Sequence, residues 1–297
     1  MALTKEQVQA LRDVLDATGG HRETARRERV IPESYAAYCA LCIREEQILT
    51  FPGLNPIRIV ITRPKEQAEN APLHVNFHGG GFVFLQDEDD DLYCAHLAAA
   101  TGAVVVDVDY ASSFDAPYPM AFDQSYEVCK WAYAHCAEWG CNPARFSVGG
   151  ASAGGNLAMV VSMKAVQTRD FPLCLQVLDY AANDNDMAMH DPRQLRSQAF
   201  STLYVDGDLE KLTDPFVSPR FAPDEMLKGL PETLVIAPGK CPFFECNNIL
   251  SQRMEKMGVK VTVKEYPDSP HGFTVRMAGA WQEAQEQIIA AINQSGK

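Results

Sequence analysis

Ser147-Val148-Gly149-Gly150-Ala151-Ser152-Ala153-Gly154-Gly155-Asn156-Leu157 lies between an apolar run and a helix-forming run. Its centre, Gly150 to Gly154, fits G-x-S-x-G. That is the setting a serine needs to sit exposed on a strained strand-to-helix turn. The small flanking residues let the backbone turn tightly without a Cβ clash. The helix that follows would aim its first N–H groups, and the positive end of its dipole, at a developing oxyanion. In a chain with 19 glycines the pattern alone carries little weight. A Gly/Ser-rich strand-to-helix loop would read the same way, so the surroundings must decide.

Outward from this turn, strand-like runs recur at 47–51, 57–62, 73–77, 103–108, 146–149, 174–178, 233–237 and 260–265. From the third onward they alternate with helical patterns at 92–100, 120–138, 153–167, 244–256 and 277–292. Such alternation specifies an α/β fold: a doubly wound, mostly parallel eight-stranded sheet with its working loops at the carboxyl ends of the strands. Before the sheet, Thr4 and Gln7 stand at capping-box spacing, and Val8, Leu11, Val14 and Leu15 share one helical face ending at Gly19-Gly20. A basic link, 21–29, leads to a second helical patch at 35–43. Residues 1–45 are therefore expected to form a helical segment contributing to a small cap, and 46–297 the main domain. The acidic, proline-bearing stretch 183–229 reads as a lid or cap insertion.

Length and composition suit one large globular unit: 297 residues, 46% hydrophobic and 22% charged. A net charge of −13 argues against nucleic acid and anionic membrane as partners, since both require a basic face. No apolar run approaches the ~20 residues of a membrane span. The first residues run straight into an amphipathic pattern with no secretory signal, and the nine scattered cysteines suggest a reduced, cytoplasmic protein. Homo-oligomerisation is left open.

Two further motifs join the serine. His78-Gly79-Gly80-Gly81-Phe82 follows the third strand, where consecutive glycines allow backbone N–H groups to approach an oxyanion closely. No Gly-Lys-Ser/Thr follows, so it is not a phosphate cradle. His271 falls in Tyr266-Pro267-Asp268-Ser269-Pro270-His271-Gly272-Phe273, just after the last strand. A late histidine there suits a general base in the chain order serine, acid, histidine. The histidines at 21, 74, 96, 135 and 190 have no such context.

With these motifs in order, the chain resembles the hormone-sensitive-lipase-like branch of the α/β-hydrolase fold, the acetyl esterase and carboxylesterase group. The resemblance runs from about Glu46 to the C-terminus. It includes Asp109-Tyr110 through Asp115-Ala116-Pro117-Tyr118-Pro119, similar to the family's D-Y-x-x-x-P-E-x-P-F-P segment. Tyr180 and Asp184 resemble its Y-P-x-x-D, and Ser218-Pro219 its S-P. The resemblance implies Ser152 as nucleophile, His271 as base, and the N–H groups of Gly80, Gly81 and Ala153 as the oxyanion hole. One position departs. The family's acid is the first Asp of D-P-L-x-D after the seventh strand, and here the run reads Leu234-Val235-Ile236-Ala237-Pro238-Gly239-Lys240-Cys241-Pro242-Phe243-Phe244-Glu245, with Cys241 in that place. In serine hydrolases the acid holds the histidine tautomer, and its loss costs on the order of 10⁴-fold in kcat. Three readings stay open: Glu245, matching the motif's second acid, reaches His271; Asp268 or Asp184 comes in from elsewhere; or a Ser-His dyad works alone.

The resemblance implies a cytoplasmic serine carboxylesterase acting on a small or medium acyl ester, with no metal or organic cofactor. A ligand-binding relative that has lost turnover and a peptidase of the same fold are the alternatives. Weaker features have plainer readings. The run Asp87-Glu88-Asp89-Asp90-Asp91 reads as a solvated charge run at a helix start. Cys39-Ala40-Leu41-Cys42 reads as two cysteines on one helix face. Phe82, Phe84, Tyr204, Phe216 and Phe221 are candidates for an acyl pocket, with core packing as the default.

Overall fold

A computed structural model describes residues 2–19, 33–67 and 69–297; the basic link at 21–29 lies outside them. The strands are β1 (Cys42–Leu49), β2 (Ile57–Pro64), β3 (Ala71–Phe77), β4 (Val104–Asp109), β5 (Cys141–Ala151), β6 (Leu175–Asp179), β7 (Glu232–Lys240) and β8 (Val261–Pro270). They form one sheet in the order β1-β2-β4-β3-β5-β6-β7-β8. β2 pairs antiparallel with β1 and β4, and every other pairing is parallel. β3 and β6 are buried along their whole length because helices cover both faces, which is why they read as unbroken apolar runs.

The helices are α1 (Lys5–Gly19), α2 (Glu33–Leu41), α3 (Glu88–Thr101), α4 (Met120–His135), α5 (Ala153–Thr168), α6 (Leu195–Tyr204), α7 (Asp224–Leu227), α8 (Phe244–Lys256) and α9 (Trp281–Gln294). Leu157, Val160 and Leu250 of α5 and α8 pack with Val106 and Val148 on one face of the sheet. Leu97 and Ile288 of α3 and α9 pack with Val105 and Leu234 on the other. This is the doubly wound arrangement the alternation requires. No helix among the described residues is long and apolar enough to cross a membrane.

The expected capping box at the first helix forms: Thr4 N–H donates to Gln7 Oε1 at 2.8 Å and Gln7 N–H to Thr4 Oγ1 at 3.3 Å. The sheet begins earlier than expected, at Cys42. The Cys39/Cys42 expectation is therefore corrected: Cys39 lies on α2, and Cys42 opens β1. α1 and α6 close over the carboxyl end of the sheet through Leu15, Ala199, Leu203 and Val83. Leu3 N–H donates to Asp206 Oδ1 at 3.0 Å, and Arg196 donates to the Leu15 carbonyl at 3.1 Å. The N-terminal helix and the insertion thus make one roof.

Two register facts set up the site. β3 pairs with β5 so that Phe77 lies opposite Gly150, which brings the glycine loop after β3 beside Ser152. β7 and β8 pair with a shift between Pro238 and Lys240 that leaves Lys240 opposite Pro270. The residues that follow on these two strands are Cys241 and His271.

Candidate active site

Ser152 sits between the end of β5 and the start of α5 with φ 57° and ψ −115°, a region L-residues rarely occupy. The turn is pinned from both sides. Its N–H donates to the Asp179 carbonyl at 2.9 Å, and its carbonyl accepts from Asn156 and Ala182 N–H at 3.1 and 2.9 Å. A Cβ at Gly150 or Gly154 would drive into the Phe77 carbonyl oxygen, so the motif's glycines are a packing requirement of β3 against the turn.

Ser152 Oγ and His271 Nε2 are 2.9 Å apart. The imidazole meets the edge of the Tyr180 ring at 4.9 Å between centroids. Desolvation first, and the Arg276 guanidinium second, push its pKa from 6.5 down to about 4. On the far side of the ring, Cys241 Sγ lies 3.0 Å from His271 Nδ1, and the Phe243 N–H donates to the same sulfur at 3.4 Å. Burial pushes the Cys241 thiol up to about 12, so it stays neutral.

Glu245 is corrected as the candidate acid. It lies exposed in the first turn of α8, a helical turn beyond Cys241, and makes no hydrogen bond to His271, whose Nδ1 faces the sulfur. The other two carboxylates are also engaged elsewhere. Asp268 is fully exposed and 3.7 Å from Lys240. Asp184 is buried, paired with Arg220, and accepts the Met187 N–H at 2.9 Å.

The glycine loop after β3 carries Gly80 at φ 138° and Gly81 at φ 63°. The segment after β4 props it. Tyr110 donates to the His78 carbonyl at 2.7 Å and stacks on its ring at 4.2 Å, and Ser112 and Ser113 donate to the Val83 and Phe82 carbonyls at 2.6 and 2.8 Å. A Cβ on Gly81 would collide with the Phe200 ring.

Ser152, His271, Gly80 and Gly81 open into a cavity of about 690 Å³ walled by Phe82, Phe84, Phe200, Tyr180 and Phe243. Of the five aromatics expected there, Phe82 and Phe84 line it, and Tyr204 is buried and stacked on Phe82 at 3.7 Å. Phe216 packs on Phe122, and Phe221, 37% exposed, lies outside the cavity lining. Phe200 and Phe243 lay outside the sequence reading because their roles depend on how the roof folds back. The acidic run differs from a solvated one. Asp87 caps α3 in a reciprocal capping box with Asp90, Asp90 is buried, and Asp87, Asp89 and Asp90 form part of the cavity wall.

A doubly wound sheet with a strained serine after β5 and a histidine after β8 defines an α/β-hydrolase. Residues 74–275 match the alpha/beta hydrolase fold family model, and the chain belongs to that family. It is 28% identical to the carboxylesterase NlhH of Mycobacterium tuberculosis over 264 residues, covering 84% of this chain and 82% of that one. A stretch of 103 residues is 36% identical to human hormone-sensitive lipase, 35% of this chain and 10% of the lipase, consistent with the branch the motifs resemble. An esterase of Pyrobaculum calidifontis superposes with a TM-score of 0.78 at 27% identity, covering 98% of both chains.

Proposed function

We propose that this carboxylic ester hydrolase cleaves small to medium acyl esters through an acyl-enzyme on Ser152. The observation that carries the reading is the 2.9 Å contact between Ser152 Oγ and His271 Nε2 in the cavity walled by Phe82, Phe84, Phe200, Tyr180 and Phe243. His271, neutral above about pH 4, takes the serine proton as Oγ attacks the ester carbonyl. The N–H groups of Gly80, Gly81 and Ala153 would receive the oxyanion, with the start of α5 adding its dipole. The imidazolium protonates the departing alkoxide, then His271 activates water to release the acid. The residues named supply every proton movement, so the proposal includes no metal or organic cofactor. The cavity volume supports a small or medium ester. Nine free thiols support a reducing, cytoplasmic compartment.

Hydrolysis of p-nitrophenyl acetate and butyrate tests this, with Ser152→Ala as control. The variant should fall at least about a thousandfold in kcat. Wild-type turnover no faster than the variant would sink the esterase reading. A neutral partner at His271 Nδ1 favours a second reading, a binding protein that kept the pocket and lost turnover. Covalent labelling of Ser152 by a serine-reactive phosphonate separates the two, because a spent site would not label.

A further inference from the structure

We propose that Cys241 is the positioning residue of this site: its sulfur accepts the Nδ1–H of His271 and holds the imidazole in the tautomer that leaves Nε2 free for the Ser152 proton. The inference rests on Ser152 and His271 acting as nucleophile and base.

The contact is built into the sheet. Lys240 pairs with Pro270, so the next residue on each strand, Cys241 and His271, must leave the sheet side by side. A Cβ on Gly239 would meet the Pro267 backbone at 2.5–2.9 Å, so only glycine lets β7 pass the two extra residues of β8 at the register shift. The sulfur itself is fixed: Cys241 is buried, and the Phe243 N–H is directed at Sγ from 3.4 Å. Among the described residues no carboxylate is hydrogen-bonded to Nδ1: Glu245 is exposed, Asp184 and Asp268 pair with Arg220 and Lys240, and the buried Asp179 accepts from Thr274.

The chemistry follows from the difference between a thiol and a carboxylate. An ionised carboxylate only accepts, so it enforces Nδ1–H and offsets the charge of the imidazolium. A neutral thiol accepts at its lone pair but can also donate. When S–H donates to Nδ1, the ring proton sits on Nε2 and faces Ser152 Oγ, and the serine has no base. When Nδ1–H donates to sulfur, Nε2 is open and the serine proton moves to it while the Nδ1 proton stays in place. Cys241 therefore favours the productive tautomer without enforcing it, and leaves the imidazolium without a counter-charge. The site should turn over, but more slowly than one holding a carboxylate at 241.

The test combines nitrogen-15 NMR of His271 in the wild type with kcat, KM and pH profiles of Cys241→Ala, Cys241→Ser and Cys241→Asp. The wild-type ring should carry its proton mainly on Nδ1. Cys241→Ala should lose about fivefold in kcat, the worth of one neutral hydrogen bond, with KM within about twofold. Cys241→Ser should recover most of that loss. Cys241→Asp should gain about tenfold or more in kcat and shift the acid limb to higher pH, because a carboxylate stabilises the imidazolium. A ring protonated on Nε2 in the wild type, or a Cys241→Ala enzyme with unchanged kcat, overturns the proposal. If Cys241→Ala does not fold, the wild-type spectrum and the Cys241→Ser kinetics decide it. Phosphonate labelling of the wild type keeps the two failures apart. An unlabelled Ser152 refutes the underlying reading, whereas a labelled Ser152 with indifferent Cys241 variants refutes only this inference.

Discussion

A histidine that must act as base at neutral pH is more useful neutral than charged, and His271 is held that way. Its pKa near 4 comes first from desolvation and then from the Arg276 guanidinium. With His271 as the proposed base, activity depends on the unprotonated ring, so kcat/KM should stay flat through neutral pH and fall as pH drops through about 4. Removing the positive charge relaxes the penalty on the imidazolium and raises the ring pKa. Arg276→Ala should therefore move the acid limb upward in pH, by only a few tenths of a pH unit, because Arg276 is exposed and its field is screened. A limb that moves down or stays put in the pH–kcat/KM profile refutes this. Ser152 and His271 were legible in the sequence because each lies in a local pattern with a local cause: small residues around a strained turn, and Pro270 and Gly272 around a loop histidine. Cys241 was legible only as a departure. Its contact with Nδ1 depends on pairing between β7 and β8 across a two-residue shift, which neither strand announces alone.

The end of β6 shows how an element can support the site at a cost to the fold. Asp179 gives its carbonyl to the Ser152 N–H, while its side chain is buried beneath the histidine loop. Oδ2 accepts from Thr274 Oγ1, and Oδ1 has no hydrogen-bond partner among the described residues. Burial raises this carboxyl well above its ordinary value, and the Thr274 hydrogen bond only partly offsets that. An acid with a raised folded-state pKa keeps its proton in the native state while the unfolded chain releases it. Stability then falls as pH rises from the ordinary carboxylate range towards the raised folded value. One such group contributes a slope of at most about 1.4 kcal/mol per pH unit. Asp179→Asn keeps an oxygen for Thr274 and removes the titration. Its urea midpoint should exceed that of the wild type increasingly from mildly acidic to neutral pH, and parallel pH dependences would refute the assignment. The strands and helices of the main domain were readable because burial on both faces writes continuous apolar runs. β1 was misplaced at its start because it is an edge strand. Arg44, Glu45 and Glu46 look like linker in sequence, yet they pair with Asp91, Arg63 and Arg58, Arg44 and Glu46 from one face of the strand and Glu45 from the other.

At the scale of the whole molecule, one wall of the cavity rests on two pieces of chain far apart in sequence. The amphipathic face of α1 and the irregular run at 183–229 were each visible, but neither reveals its partner, since an apolar stripe does not specify what covers it. The structure joins them. Leu15 of α1, 2% exposed, packs with Ala199 and Leu203 of α6, and Phe200, beside them, faces the cavity over Gly81. Leu15 is remote from the reacting atoms, so shortening it should loosen the roof without disturbing Ser152 and His271. Leu15→Ala should cost about 2–5 kcal/mol of stability where the roof cannot collapse onto the void, seen as a lower urea midpoint. Because Phe200 walls the cavity over Gly81, KM for p-nitrophenyl butyrate should rise severalfold while kcat changes less than twofold. A destabilised Leu15→Ala enzyme with unchanged KM would mean that the roof only shields the core. A fall in kcat at constant KM would mean that the roof's packing reaches the glycine loop and the oxyanion it is expected to hold.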